Sequence, residues 1–132
     1  MNGLQAYQRV NTQTSITDAD PHKLIQLLYA GALERINMAK NRMQAKDYAA
    51  KGKLINKAIE IIGGLRTFLD LEKGGELSLR LEALYEYMES ALLEASVKND
   101  PEKLEEVANL LRSVKEGWDG IRDEVVQQRQ AV

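Results

Sequence analysis

The stretch Asp20-Pro21-His22-Lys23-Leu24-Ile25-Gln26-Leu27-Leu28-Tyr29 marks an abrupt change in the character of the chain. Asp20 can accept hydrogen bonds from free backbone N–H groups, and Pro21 suits a first helical position, where its missing donor costs nothing. A long apolar helix is therefore expected to begin at residue 21. It follows a polar arm, Ala6-Tyr7-Gln8-Arg9-Val10-Asn11-Thr12-Gln13-Thr14, too short and polar to be a stable isolated helix.

Beyond residue 20 the apolar periodicity is interrupted near Lys46-Asp47, Lys73-Gly74-Gly75 and Lys98-Asn99-Asp100-Pro101, where turn formers, glycines and a second Asp-Pro helix start fall together. These breaks predict helices over about 21–45, 48–71, 76–98 and 101–126. Four helices of similar length with short connections pack most simply as an antiparallel up-down bundle. The expected fold class is all-α, a four-helix bundle with a short N-terminal arm packed on it. Residues 1–20 would form the arm, 21–126 the bundle and 127–132 a tail.

Several function classes are set aside by composition. The chain has 132 residues, enough for one core and too few for two domains. Its formal net charge is −2 and its cations are interspersed with acids along the chain, so nucleic acid and anionic membrane are not expected partners. It has no cysteine, hence no disulfide, thiol nucleophile or thiolate metal site. No apolar run approaches a membrane span and no secretory leader is visible, so a cytosolic location and no membrane insertion are expected. The one histidine, His22, lies at a helix start, where it serves neither a di-iron bundle nor a mid-helix phosphotransfer site. Gly63-Gly64 and Gly74-Gly75 follow no strand, so they read as close packing and chain reversal, not as a phosphate loop. Neither enzymatic activity nor a cofactor or metal is expected.

The apolar faces differ between helices. Leu104, Val107, Leu111, Val114, Trp118, Ile121 and Val125 form a narrow seam, which assigns Trp118 to the core. In the second helix Leu54, Ile55, Ala58, Ile59, Ile61, Ile62, Leu65, Phe68 and Leu69 span roughly 180° of the surface, more than one core-facing stripe. The third has a broad face that includes Leu77, Leu84, Tyr85, Tyr87 and Met88, with Leu79, Leu93 and Val97 left on its back. This apolar surplus points to a partner, the protein's own arm or a second copy of the chain.

At this level of detail the chain resembles the FliS family of flagellar secretion chaperones. The resemblance runs in order through Ala6-Tyr7 and Val10, Pro21-His22 with Leu24-Ile25 and Leu28, Ala50-Lys51-Gly52-Lys53, Lys57-Ala58-Ile59 with Ile61-Ile62, Leu69-Asp70 with Glu72-Lys73-Gly74-Gly75-Glu76, Leu84-Tyr85-Glu86-Tyr87-Met88, Asn99-Asp100, Glu105-Glu106-Val107 with Leu110-Leu111, and Trp118. The first five residues, the tail after Ile121 and Gly63-Gly64 depart from it. The resemblance implies a cytosolic chaperone that wraps the disordered C-terminal segment of flagellin in hydrophobic grooves, hides it from polymerisation and helps deliver it to the flagellar type III export apparatus without nucleotide. The flagellar export gate and an anti-sigma factor are further partners it raises. By position, Tyr7 and Val10 match arm residues that move when flagellin binds. Ile55, Ile59, Ile62, Leu65 and Leu69, with Leu84, Tyr87 and Met88, are expected along or just beneath the flagellin path, with Lys51 and Lys57 as its polar rim. The rival reading is a self-associating structural bundle, a homodimer with no flagellin ligand.

Overall fold

The computed structural model describes residues 21–70 and 74–131, with side chains described as far as residue 120. Four helices account for almost all of these residues: α1 Pro21–Gln44, α2 Tyr48–Thr67, α3 Gly75–Lys98 and α4 Pro101–Ala131. No strand occurs among them. The arm, with Asp20, Tyr7 and Val10, lies outside the described residues.

Each helix end has a local cause. α1 stops where Lys46 takes a left-handed φ of 62°. The Asp47 N–H then donates to the Arg42 carbonyl at 2.9 Å and the Lys46 N–H to Met43 at 3.0 Å, the paired bonds that satisfy a helix C-terminus. The Asp47 carboxylate turns at once to α2 and accepts from the Ala50 N–H at 3.3 Å. The second Asp-Pro start behaves as expected, with Asp100 Oδ1 accepting from Glu102 and Lys103 N–H at 3.1 and 3.2 Å. Its predecessor Asn99 is left-handed, at φ 51°, a conformation asparagine tolerates. α2 ends at Thr67, short of residue 71. Its final turn tightens, with Phe68 and Leu69 donating three residues back, and the Thr67 hydroxyl takes the Gly64 carbonyl at 2.6 Å.

α1 packs on α2 and α4, and α3 packs on the same two, which closes a ring in sequence order. The short turns make successive helices antiparallel, as the up-down bundle requires. The core draws Ile25, Leu28, Ile36 and Met43 from α1, Ile55, Ile61 and Ile62 from α2, Met88 and Leu92 from α3, and Leu104, Val107 and Leu111 from α4. Their three- and four-residue spacing puts one stripe of each helix on the axis. Inside it the hydroxyls of Tyr29 and Tyr85 meet across the diagonal, linking α1 to α3 through the centre. Burial pushes both phenols above their ordinary pKa, so each stays neutral.

Two predictions follow from this packing. Tyr29→Phe or Tyr85→Phe alone leaves a buried hydroxyl with its partner removed, at a cost of about 1–3 kcal/mol. The double Phe variant should lose clearly less than the sum, and additive losses in a denaturant-melt double-mutant cycle would deny the pairing. In the α2–α3 turn, a Cβ on Gly74 would lie 1.8 Å from Ser78 Oγ and 2.7 Å from the Asp70 carbonyl. Gly74→Ala should therefore cost about 1–3 kcal/mol by overpacking, and Ser78→Gly should restore only part, because the Asp70 backbone remains. Thermal melts of the two variants check this.

Candidate partner-binding surface

The double-width face of α2 is divided by the bundle. Ile55 and Ile62 are fully enclosed, as is Met88 on α3, and Leu65 is buried beside them. Ile59 on α2, Leu69 just beyond its end and Leu84 on α3 are only partly covered and lie against the outside of that core. Phe68, at the end of the α2 arc, is exposed. The expected site residues thus divide into buried ones and partly covered ones at the rim of the core.

On α3 the outward residues are more apolar than a solvent face requires. Leu79 and Leu93 are each 57% exposed and Val97 76%. At about 100° per residue Leu79 and Val97 share one azimuth and Leu93 lies about 40° away, so they form a single stripe on the side opposite Met88. Leu77, assigned by its spacing to the broad face, is instead 61% exposed at the first turn. Tyr87 is an exposed residue whose hydroxyl donates to Glu106 Oε1 at 2.8 Å, tying the open edge of α3 to α4.

Polar bridges hold the seams around these surfaces. Lys51 is buried, and its Nζ donates to the Ser96 carbonyl at 2.7 Å, so it joins α2 to the last turn of α3. Lys57 remains at the surface and pairs with Glu60 at 3.5 Å along its own helix. Further along the α2–α3 seam the Arg66 guanidinium donates to Glu82 through Nε at 3.0 Å and also through Nη2, and to Glu89 through Nη1 at 2.6 Å. Gly63 faces the Glu89 carboxylate, whose Oε1 a Cβ there would meet in ordinary van der Waals contact at 3.6 Å. Across the α1–α4 seam Lys40 reaches Glu105 at 3.3 Å, and Gln26 reaches Asp119 at 2.6 Å. The His22 ring stacks on Trp118, with centroids 4.5 Å apart, and the indole N–H donates to the His22 carbonyl at 3.3 Å. Trp118 therefore packs against the rim of the core, half-buried, because its stack with His22 sits at the open end of the bundle.

The bridges and the exposed Met38 and Tyr48 were not singled out from sequence. Arg66, Glu82 and Glu89 look like ordinary solvated helix charges until α2 and α3 are set side by side. Met38 was detectable as lying off the core stripe of α1, on nearly the same azimuth as Leu27. No cluster of three or more histidines or acids able to hold a metal occurs among the described residues, and none of their helices is long and apolar enough to cross a membrane.

Partly covered apolar side chains remain at the rim of the core on all four helices, Ile59 on α2 and Leu84 on α3 among them. The family model described as "Flagellar protein FliS" matches residues 3–125. This chain belongs to the FliS family. The flagellar secretion chaperone FliSB of Pseudomonas aeruginosa is 51% identical to it over 121 residues, covering 92% of this chain and 96% of the relative. The flagellar secretion chaperone FliS of Vibrio cholerae is 40% identical over 92% of this chain and 89% of its own length. That of Salmonella typhimurium is 41% identical over 89% of this chain and 87% of its own.

The seam bridges carry a pH dependence. Hydrogen bonds from Arg66 hold Glu82 below its ordinary carboxylate value, those from Lys40 and Arg112 do so for Glu105, and Lys115 with Gln26 does so for Asp119. A carboxylate that ionises more readily folded than unfolded contributes stability in full above its unfolded pKa of about 4. That contribution disappears as pH falls through the lower folded value. Arg66→Gln should therefore flatten the loss of melting temperature between about pH 5 and pH 3. An unchanged acid slope would mean the Arg66 bridges contribute nothing in solution.

Proposed function

We propose that this protein is a cytosolic export chaperone that binds the disordered C-terminal segment of flagellin, keeps it from polymerising and aids its delivery to the flagellar type III export apparatus. The observation that carries the reading is the FliS family match over residues 3–125, supported by apolar side chains left partly covered at the rim of the core. A disordered client loses conformational entropy on binding, so it needs a long run of apolar contact to be held. Ile59, Leu69 and Leu84 offer that contact over a rigid floor of Ile55, Ile62, Leu65 and Met88. Tyr87 adds an aromatic edge and Lys57 a polar rim, while Lys51 acts from within, fixing the position of α3 against α2. Tyr7 and Val10 of the arm are assigned to the same path, as residues displaced or repacked when flagellin arrives. The export gate and an anti-sigma factor are further partners of the loaded or free chaperone in this reading.

Titration of the purified protein with a peptide of the flagellin C-terminal segment tests the proposal. A tight one-to-one complex is expected, weakened by about 2 kcal/mol or more in Ile59→Lys, with melting temperature little changed because Ile59 is only partly covered. Ile62→Ala is the contrast, expected to lose about 2–5 kcal/mol of stability as a core truncation. A stable dimer that ignores the peptide would replace the chaperone reading with the homodimer.

A further inference from the structure

The outward stripe of α3 has the spacing of a seam between helices. Leu79, Ala83, Glu86, Ser90, Leu93 and Val97 are all exposed and recur at steps of four, three, four, three and four residues. At about 100° per residue all six lie within about 40° of Leu79. Among the described helices α3 packs on α2 and α4 alone, both on its inward side, so this stripe is left uncovered by them. Alternating steps of three and four are the pattern by which two helices interlock along their length, and the small Ala83 and Ser90 let a second helix approach closely.

Charge flanks the stripe in a self-matching order. About 60–100° from Leu79 on one side stand Glu76, Arg80, Glu94 and Lys98, all exposed. Tyr87 shares that flank, and its bond to Glu106 marks it as the side next to α4. Arg80 pairs with Glu76 at 2.6 Å and Lys98 with Glu94 at 2.9 Å, each across one turn of the helix. Both pairs therefore read acid then base along the chain, one near the start of α3 and one near its end. A second α3 running in the opposite direction brings acid to base at both ends.

We propose that this face binds a second copy of the chain, α3 against α3, antiparallel about a twofold axis at the level of Met88. In that register Leu79 faces the partner's Val97, Ala83 the partner's Leu93 and Glu86 the partner's Ser90, since each pair is centred on residue 88. Glu76 then lies within about 3 Å along the axis of the partner's Lys98, and Arg80 within the same distance of the partner's Glu94. The Ser90 hydroxyl is placed to donate to the partner's Glu86 carboxylate, and the twofold repeats every contact. A parallel pairing instead sets Glu86 against its own copy, so the polar centre of the seam selects the antiparallel register. The chain's own residues 1–20 are a poorer occupant, because they carry one cation, Arg9, with Asp18 and Asp20, and cannot match the alternating flank. The seam is about 27 Å long and one helix wide, less than the about 800 Å² per partner of a standard interface, so the dimer is weak and reversible. It leaves Ile59, Leu69 and Leu84 outside the contact and is independent of the flagellin reading.

Sedimentation equilibrium of the full-length protein with no client present tests this. Over about 5–500 µM the parent is expected to pass reversibly from monomer to dimer, with a Kd on the order of 100 µM or tighter. Leu93→Glu should weaken the dimer at least about tenfold and melt like the parent, because the side chain it replaces is exposed. Arg80→Glu and Glu94→Arg should each weaken it, and the two together should restore it, since they exchange the charges of one cross-pair. The chain has no cysteine, so introduced thiols report on the register without background. A short bismaleimide should couple Leu79→Cys chains to Val97→Cys chains when the two are mixed, and either variant alone hardly at all, as like positions lie about 27 Å apart. The proposal is overturned if the parent stays monomeric at the highest concentration, if Leu93→Glu dimerises as the parent does, or if either cysteine variant alone cross-links as well as the mixture. It is overturned equally if a dimer appears only after residues 1–20 are deleted, which would make the arm the occupant of the stripe.

Discussion

The contact between the Tyr29 and Tyr85 hydroxyls sets the rotation of α3 within the ring. Hydrophobic burial is non-directional, whereas a buried hydroxyl separated from its partner is penalised. Holding Tyr85 to the axis puts Met88, Leu92 and Ala95 inward. The same rotation turns Leu79, Leu93 and Val97 outward. The apolar stripe that solvent meets on α3 is therefore a consequence of what its opposite face must do.

Around that axis the seams combine two kinds of interaction. The interior is closed by aliphatic burial, while the rims are bridged by long side chains, with Lys51 and Arg66 across α2–α3, Tyr87 across α3–α4, and Lys40, Gln26 and Trp118 across α1–α4. Bridges at partly exposed rims are individually weak and adjustable.

Much of the architecture was legible in the chain before any coordinate. The Asp-Pro start at 100–101, the turn chemistry near 46–47 and the Gly74-Gly75 reversal each predict a break that the structure contains, because they depend on interactions between residues close in sequence. The end of α2 was placed too late. Its Leu69 continues the apolar pattern, yet the Thr67 hydroxyl and three-residue bonds at Phe68 and Leu69 close the helix earlier, a choice that hydrophobic spacing does not record.

The sequence by itself determined that the chain forms four helices, where it reverses, that each helix has an apolar face and which family the ordered motifs belong to; it ended the second helix at 71 and the last at 126, whereas they end at Thr67 and Ala131. Only the tertiary structure decided which part of each face is covered. Ile55 and Ile59 are equally apolar neighbours on one helix, yet the first is enclosed and the second half-open. Lys51 and Lys57 read alike as rim cations, yet one is buried on a carbonyl of α3 and the other stays at the surface. The reason is geometric: periodicity states a residue's angle around its own helix, while burial and pairing depend on the angle at which a neighbouring helix meets it, a quantity set jointly by all four.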